Sequence, residues 1–202
     1  MKKTMMIAVL LLNMVTQTQA QVKPFVKAGV GTSEYWLENA EGTSTRFSYA
    51  VGAGVDIPFK GSRFGLSPSL LFISKGAELH ESEGVETDMG LSYLEAPIDV
   101  YYRLPLGEKW GLRFSAGPYF GYGVGGKTKV TGGRYPKLKV DTFDDEDVNH
   151  FDCGLNLSFL ACYKRWFIGV ENDLGFLPVH KKQNGEAWPC NLSSIITIGL
   201  YF

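Results

Sequence analysis

From residue 21 onward, apolar and polar positions alternate with a period of two, and no stretch repeats at the helical period. The clearest run is RFSYAVGAGVDIPF, residues 46–59. One face carries Phe47, Tyr49, Val51, Ala53, Val55, Ile57 and Phe59, and the other carries Arg46, Ser48, Ala50, Gly52, Gly54 and Asp56. Extended along the chain, the pattern predicts about eight strands, roughly 22–31, 45–58, 63–74, 91–104, 110–124, 150–163, 166–174 and 192–202. Their connections alternate in length. Phe59–Ser62, Pro105–Lys109 and Lys164–Arg165 are short, whereas 32–44, 75–90, 125–149 and 175–191 are long and polar. That alternation predicts an all-β chain folded as a closed antiparallel up-and-down barrel, with turns at one end and loops at the other.

The small residues decide which solvent the apolar face meets. A water-soluble barrel turns its apolar face inward and its Lys and Glu outward. Here the less apolar face is mostly Gly, Ser and Ala with isolated charges, which suits the inside of a narrow barrel. The apolar face then looks outward into lipid, making the predicted barrel transmembrane. Beside the short turns, outward positions hold Phe59, Phe64, Tyr102, Trp110, Tyr163, Trp166 and Phe202, an expected aromatic girdle at periplasmic headgroup level. Phe47, Phe72, Tyr122 and Phe151 fall toward the opposite end.

Composition agrees with this picture: 24 glycines and 13% aromatic residues suit β architecture. A formal net charge of −1 offers no global field for nucleic acid. Residues 1–20 read as a secretory signal peptide, with Lys2 and Lys3, a short apolar run from Met5 to Leu12, and Thr18-Gln19-Ala20 as the cleavage site. Residues 21–202 then form one barrel domain in the outer membrane of a Gram-negative bacterium. Ile196, Ile198, Leu200 and the terminal Phe202 share one face, the pattern expected of a strand read by the barrel-assembly machinery. Cys153, Cys162 and Cys190 are an odd count, and Cys153 and Cys162 on one strand would lie roughly 30 Å apart, too far to bridge.

Several segments resemble a known family. LSPSLLFISKGAEL (66–79), YLEAPIDVYYRLP (93–105), GLRFSAGPYFGYGVGGK (111–127) and the closing IGLYF are similar to PorT-like outer-membrane β-barrels, abundant in Bacteroidetes. The resemblance spans nearly all of the chain after residue 20. It implies an outer-membrane barrel of about eight strands and no activity. PorT itself is associated with a protein-secretion apparatus, so the resemblance implies a link to secretion or envelope assembly.

GYGVGGKT (121–128) matches the spacing of a phosphate-binding loop, but KTKVTGGRYPKLKV after it cannot form the required helix. No nucleotide is therefore expected. The inward face carries Arg46, Asp56, Glu95, Asp99, Arg103, Arg113 and Glu171, together with Lys27, Asp152 and Asp173. These are expected to pair as a polar network filling the lumen, with Asp56 near Arg63, Tyr101 opposite Arg113 and Asp99 diagonal to Arg113. Asp145, Asp147 and Asn149 have the spacing of a calcium loop, but His150 replaces its glycine and the closing Glu is missing. His80, His150 and His180 fall in or beside the long loops, where Ser82, Glu83 or Asp152 could complete an outer-leaflet lipid-modifying site.

The reading is a non-enzymatic barrel with a closed lumen and no cofactor or metal. Its role is structural or interactive, through the outward loops or the periplasmic turns. Its partners are outer-membrane lipid, the barrel-assembly machinery and an envelope protein. The alternatives are a lipid-modifying enzyme and a narrow solute channel.

Overall fold

The computed structural model describes residues 22–36, 43–81, 85–132, 138–144, 147–181 and 189–202. The expected signal peptide lies outside them. Eleven strands run in chain order: β1 (Lys23–Trp36), β2 (Thr43–Ser44), β3 (Arg46–Pro58), β4 (Phe64–Glu81), β5 (Val85–Pro105), β6 (Trp110–Gly125), β7 (Lys127–Thr131), β8 (Leu138–Asp141), β9 (Phe151–Tyr163), β10 (Trp166–Pro178) and β11 (Cys190–Tyr201). The eight long ones pair antiparallel with their chain neighbours, and β1 pairs with β11 to close the barrel. Closure leaves none of these eight with an open edge.

The period-two pattern explains the walls. In β6 the burial alternates residue by residue, with Arg113, Ser115, Gly117, Tyr119 and Gly121 turned in and Phe114, Ala116, Pro118, Phe120 and Tyr122 turned out. Val26, Val30, Val51, Leu70, Ile98, Val100, Phe114, Ile168, Ile196 and Ile198 are all exposed on the outer wall. A soluble monomer rarely leaves so large a continuous apolar surface in water.

Three expectations need correction. Residues 75–81 and 85–90, expected in a loop, are strand: β4 and β5 stay paired from Ser74↔Ser92 to Glu81↔Val85. The expected loop 125–149 contains strands: β7 pairs with β5 at Glu86↔Thr131 through Met89↔Thr128, and β8 pairs with β7. The cause is the same in both. Above the apolar belt the outer face meets water, so hydrophobic alternation stops while backbone pairing continues. The third correction is one of register. Arg113 lies opposite Arg103, and Tyr101 lies opposite Ser115. The β5–β6 turn closes by the Leu106 N–H donating to the Trp110 carbonyl at 2.9 Å, which moves every predicted pairing by two residues while keeping the same face inward.

The interior is layered. At the outer end Tyr35, Ile73, Ala77, Met89, Leu91, Tyr93, Val148, Val179 and Ile195 form an apolar plug. At the turn end Phe25, Leu160, Cys162, Phe167 and Tyr201 form a second apolar cluster, with Phe25 edge-on to Phe167 at 5.8 Å. Buried charge fills the space between and around them. The three cysteines are free.

Candidate functional site

The seven inward charges singled out from sequence do not form one network; they fall into separate groups along the lumen. The group at the outer mouth is Arg46, whose Nε donates to Asp88 at 2.6 Å while Nη1 donates to Ser74 Oγ at 3.0 Å. Lys129 reaches the other Asp88 oxygen at 3.0 Å, tying the β7 hairpin to the barrel rim.

The second group centres on Lys75, which the sequence reading placed in a loop. It is completely buried. Its Nζ lies 2.5 Å from Glu95 Oε2, 3.3 Å from Asp173 Oδ2 and 3.6 Å from Asp152 Oδ2, and 4.1 Å over the Tyr119 ring. Neighbours hold the carboxylates in turn. Asn156 and Ser193 donate to Asp173 at 2.7 and 3.0 Å, while Tyr119 and Asn191 each donate to Asp152 at 3.2 Å. One cation at the focus of three hydrogen-bonded carboxylates, contributed by β5, β9 and β10, cross-braces the barrel from inside.

In the middle layer Lys27 pairs with Glu171 at 2.5 Å, and Ser115 donates to Asp99 at 3.3 Å while bonding Ser158 at 2.6 Å. Nearest the turns, Asp56 is buried and accepts from Ser67 at 2.7 Å and from both Arg103 and Arg113 at 3.3 Å. The partner expected for Asp56, Arg63, instead sits at the turn and donates to the Tyr102 hydroxyl at 3.3 Å. The partner expected for Arg113, Asp99, is replaced by Asp56 of β3, 3.3 Å away.

Phe59, Phe64, Trp110, Tyr163, Trp166 and Phe202 are exposed at the turn end, and Tyr102 is half-buried there. Trp110 and Tyr163 are cross-strand partners with ring centroids 4.6 Å apart, and Phe64 and Tyr102 are partners at 5.0 Å.

Other sequence candidates separate. His150 stacks on Phe143 at 4.7 Å and on Tyr122 at 5.8 Å, while Asp152 two residues on points into the lumen toward Lys75. Ser82 and Glu83 lie outside the described residues, as does the side chain of His80. Asn149 of the calcium-like spacing donates to the Pro178 carbonyl at 2.7 Å, and Asp145 lies outside the described residues. No group of His, Cys, Asp and Glu with metal-binding geometry occurs among the described residues. The phosphate-loop match is a strand end followed by β7, not by a helix. Its Gly123 has a packing reason: a β-carbon there would sit 2.2 Å from the Phe143 ring, which folds in over Tyr93.

The family described as "Outer membrane protein beta-barrel domain" matches residues 12–181. No match emerges among curated proteins. Among solved structures, Ail, the attachment invasion locus protein of Yersinia pestis, is 12% identical over 89% of this chain and 98% of its own, with a TM-score of 0.45. Neisserial surface protein A is 9% identical over 89% and 97%, with a TM-score of 0.49. The N-terminal β-barrel domain of Pseudomonas aeruginosa OprF is 9% identical over 90% and 100%, with a TM-score of 0.37.

Proposed function

The chain belongs to the outer membrane protein β-barrel domain family, and from that premise we propose that it is a non-enzymatic interaction protein, PorT-like in kind, serving secretion or envelope assembly from the barrel's outward side. Its family places it in the outer membrane of a Gram-negative bacterium. The proposal rests on the sheet above the barrel. Beyond the apolar belt β4 and β5 continue as a paired ribbon, extended on one side by β2 and on the other by β7 and β8. The order ends at β8, whose residues are all exposed, with Leu138 at 57% and Val140 at 46%. An exposed edge carrying apolar side chains is a template for a strand of another chain.

The filled lumen favours this reading over a channel. Lys75, Glu95, Asp152, Tyr93 and Tyr119 occupy its cross-section, as expected of eight strands. The separation of His150 from Asp152 favours it over an outer-leaflet enzyme. The test is to replace residues 127–141 by a short Gly-Ser link and compare crosslinked partners in intact outer membranes. Heat-modifiable gel mobility checks that the barrel still folds. A partner held by the full chain and lost with the hairpin is expected. An unchanged set of partners would refute the role of this edge.

A further inference from the structure

We infer that the turn-side mouth of the barrel is an anion site that takes the phosphate ester headgroup of a membrane phospholipid. A cleft of about 260 Å³ opens there, lined by Lys23, Ser62, Arg63, Phe64, Tyr101 and Arg103 among others. Its positive charge is in surplus. The carboxylate beneath it, Asp56, is already shared between Arg103 and Arg113, each 3.3 Å away. Among the described residues Lys23 forms no ion pair, and Arg63 donates from its side chain to the neutral Tyr102 hydroxyl. Lys23, Arg63 and Arg103 therefore line the cleft while the buried Asp56 carboxylate is engaged by Arg103 and Arg113, and the Arg103 side chain stays 32% exposed.

The floor and rim suit a phosphate. The Tyr101 ring lies 4.8 Å from the Arg113 guanidinium carbon and 5.9 Å from that of Arg103. It fits because the facing strand has Gly65, where a β-carbon would come within 2.4 Å of the ring. Guanidinium groups engage phosphate oxygens in a two-point fork, and Arg63 and Arg103, cross-strand neighbours joined by the Arg103 N–H to Arg63 carbonyl bond at 2.9 Å, both line the cleft. Ser62 Oγ accepts from the Phe64 N–H at 3.0 Å, so its own hydrogen remains to donate. At this volume the cleft holds a headgroup and not an acyl chain, which would pass outside along Phe64.

Depth selects the source of the phosphate. The same rim bears Phe59, Phe64, Tyr102, Trp110, Tyr163, Trp166 and Phe202, rings that sit at headgroup level. The turns add Lys60, Lys109, Lys164 and Arg165 against a single acid, Glu108. That field concentrates anions at the rim, and each basic residue near an anionic lipid surface contributes on the order of 1 kcal/mol.

The full chain, folded in a neutral maltoside detergent, is titrated with phosphatidylglycerol, phosphatidylcholine and glycerol 3-phosphate, and bound molecules are counted by native mass spectrometry. The test variant is Lys23→Ala/Arg63→Ala, whose side chains lie outside the buried ion pairs. Lys164→Ala/Arg165→Ala removes the same charge from the same rim away from the cleft. We expect one saturable phosphatidylglycerol, preferred over phosphatidylcholine, with affinity falling roughly thirtyfold in the cleft variant and under about threefold in the rim control. Arg63→Gln alone, with heat-modifiable mobility retained, should lose about fivefold. Equal weakening by the two double variants, or equal binding of the two lipids, would overturn the site in favour of diffuse attraction. Glycerol 3-phosphate binding as tightly as the lipid would overturn the lipid source.

Discussion

Lys75 and the turn-side mouth are opposite solutions to charge inside one barrel. Around Lys75 one cation faces Glu95, Asp152 and Asp173 and is sealed from solvent. At the mouth Arg103 and Arg113 share Asp56, and Lys23, Arg63 and Arg103 line a cleft that opens there. In the sealed site Asn156 and Ser193 hold Asp173, Tyr119 and Asn191 hold Asp152, and Lys75 itself holds Glu95. The open one has one carboxylate, Asp56, for several cations, and it has room. Sealed charges can draw partners only from within the fold, whereas a solvated mouth can leave compensation to another molecule. The two sites thus separate cohesion from recognition.

The largest effect is expected from breaking the sealed site. Lys75→Met removes the shared partner of three carboxylates, and breaking one side of a buried ionic group costs ~3–5 kcal/mol. For a chain of this size that is a fall of roughly 10 °C in unfolding temperature, measured in detergent by tryptophan fluorescence. Adding Glu95→Gln to Lys75→Met should restore part of the loss, because one unpaired charge is removed with its partner. No change in the single variant would mean that the cage contributes nothing to cohesion.

That Lys75 escaped the sequence reading shows where pattern reading stops. The barrel walls were legible because lipid outside and small residues inside keep period-two contrast high, as in Phe47 to Phe59. In SKGAELHE, residues 74–81, Lys75, Glu78 and His80 weaken that contrast, so the run reads as a polar loop. Yet Ile73, Lys75 and Ala77 keep the inward parity, and this continuation was the available signal. Most of the inward charges were recovered because facing follows from parity alone. Their partners were not, because parity survives a two-residue register change and pairing does not. Arg103 opposite Arg113 depends on where the Leu106–Lys109 turn closes, which composition does not dictate.

The mouth should respond less, and asymmetrically. Arg113→Ala leaves Asp56 with Arg103 and Ser67, so its carboxylate stays hydrogen-bonded. A loss of about 1–3 kcal/mol is expected, in line with deleting one of several bonds to a charged group. Asp56→Asn should destabilise more than Arg113→Ala, because it leaves two neighbouring guanidiniums without their shared anion. The reverse ranking of unfolding temperatures would show that the mouth is not positively overcharged.

The smallest effect is expected at Lys127, which tests whether the glycine-rich stretch before it is wall or phosphate cradle. A cradle needs free backbone N–H groups and a helix behind them. Here the Gly123 N–H donates to the His150 carbonyl at 2.6 Å, so it is occupied by the structure itself. Lys127 opens β7, paired with Asp141, and its side chain is exposed. Lys127→Ala should therefore change stability by no more than about 0.5 kcal/mol, as surface substitutions do. It should also leave a fluorescent ATP analogue as unbound as it is by the parent chain. Saturable binding by the parent that disappears in Lys127→Ala would make the stretch a phosphate site after all. Indifference in both measurements, set against a large response at Lys75, would show that a lysine's contribution in this barrel depends on burial and partners and not on the motif it completes.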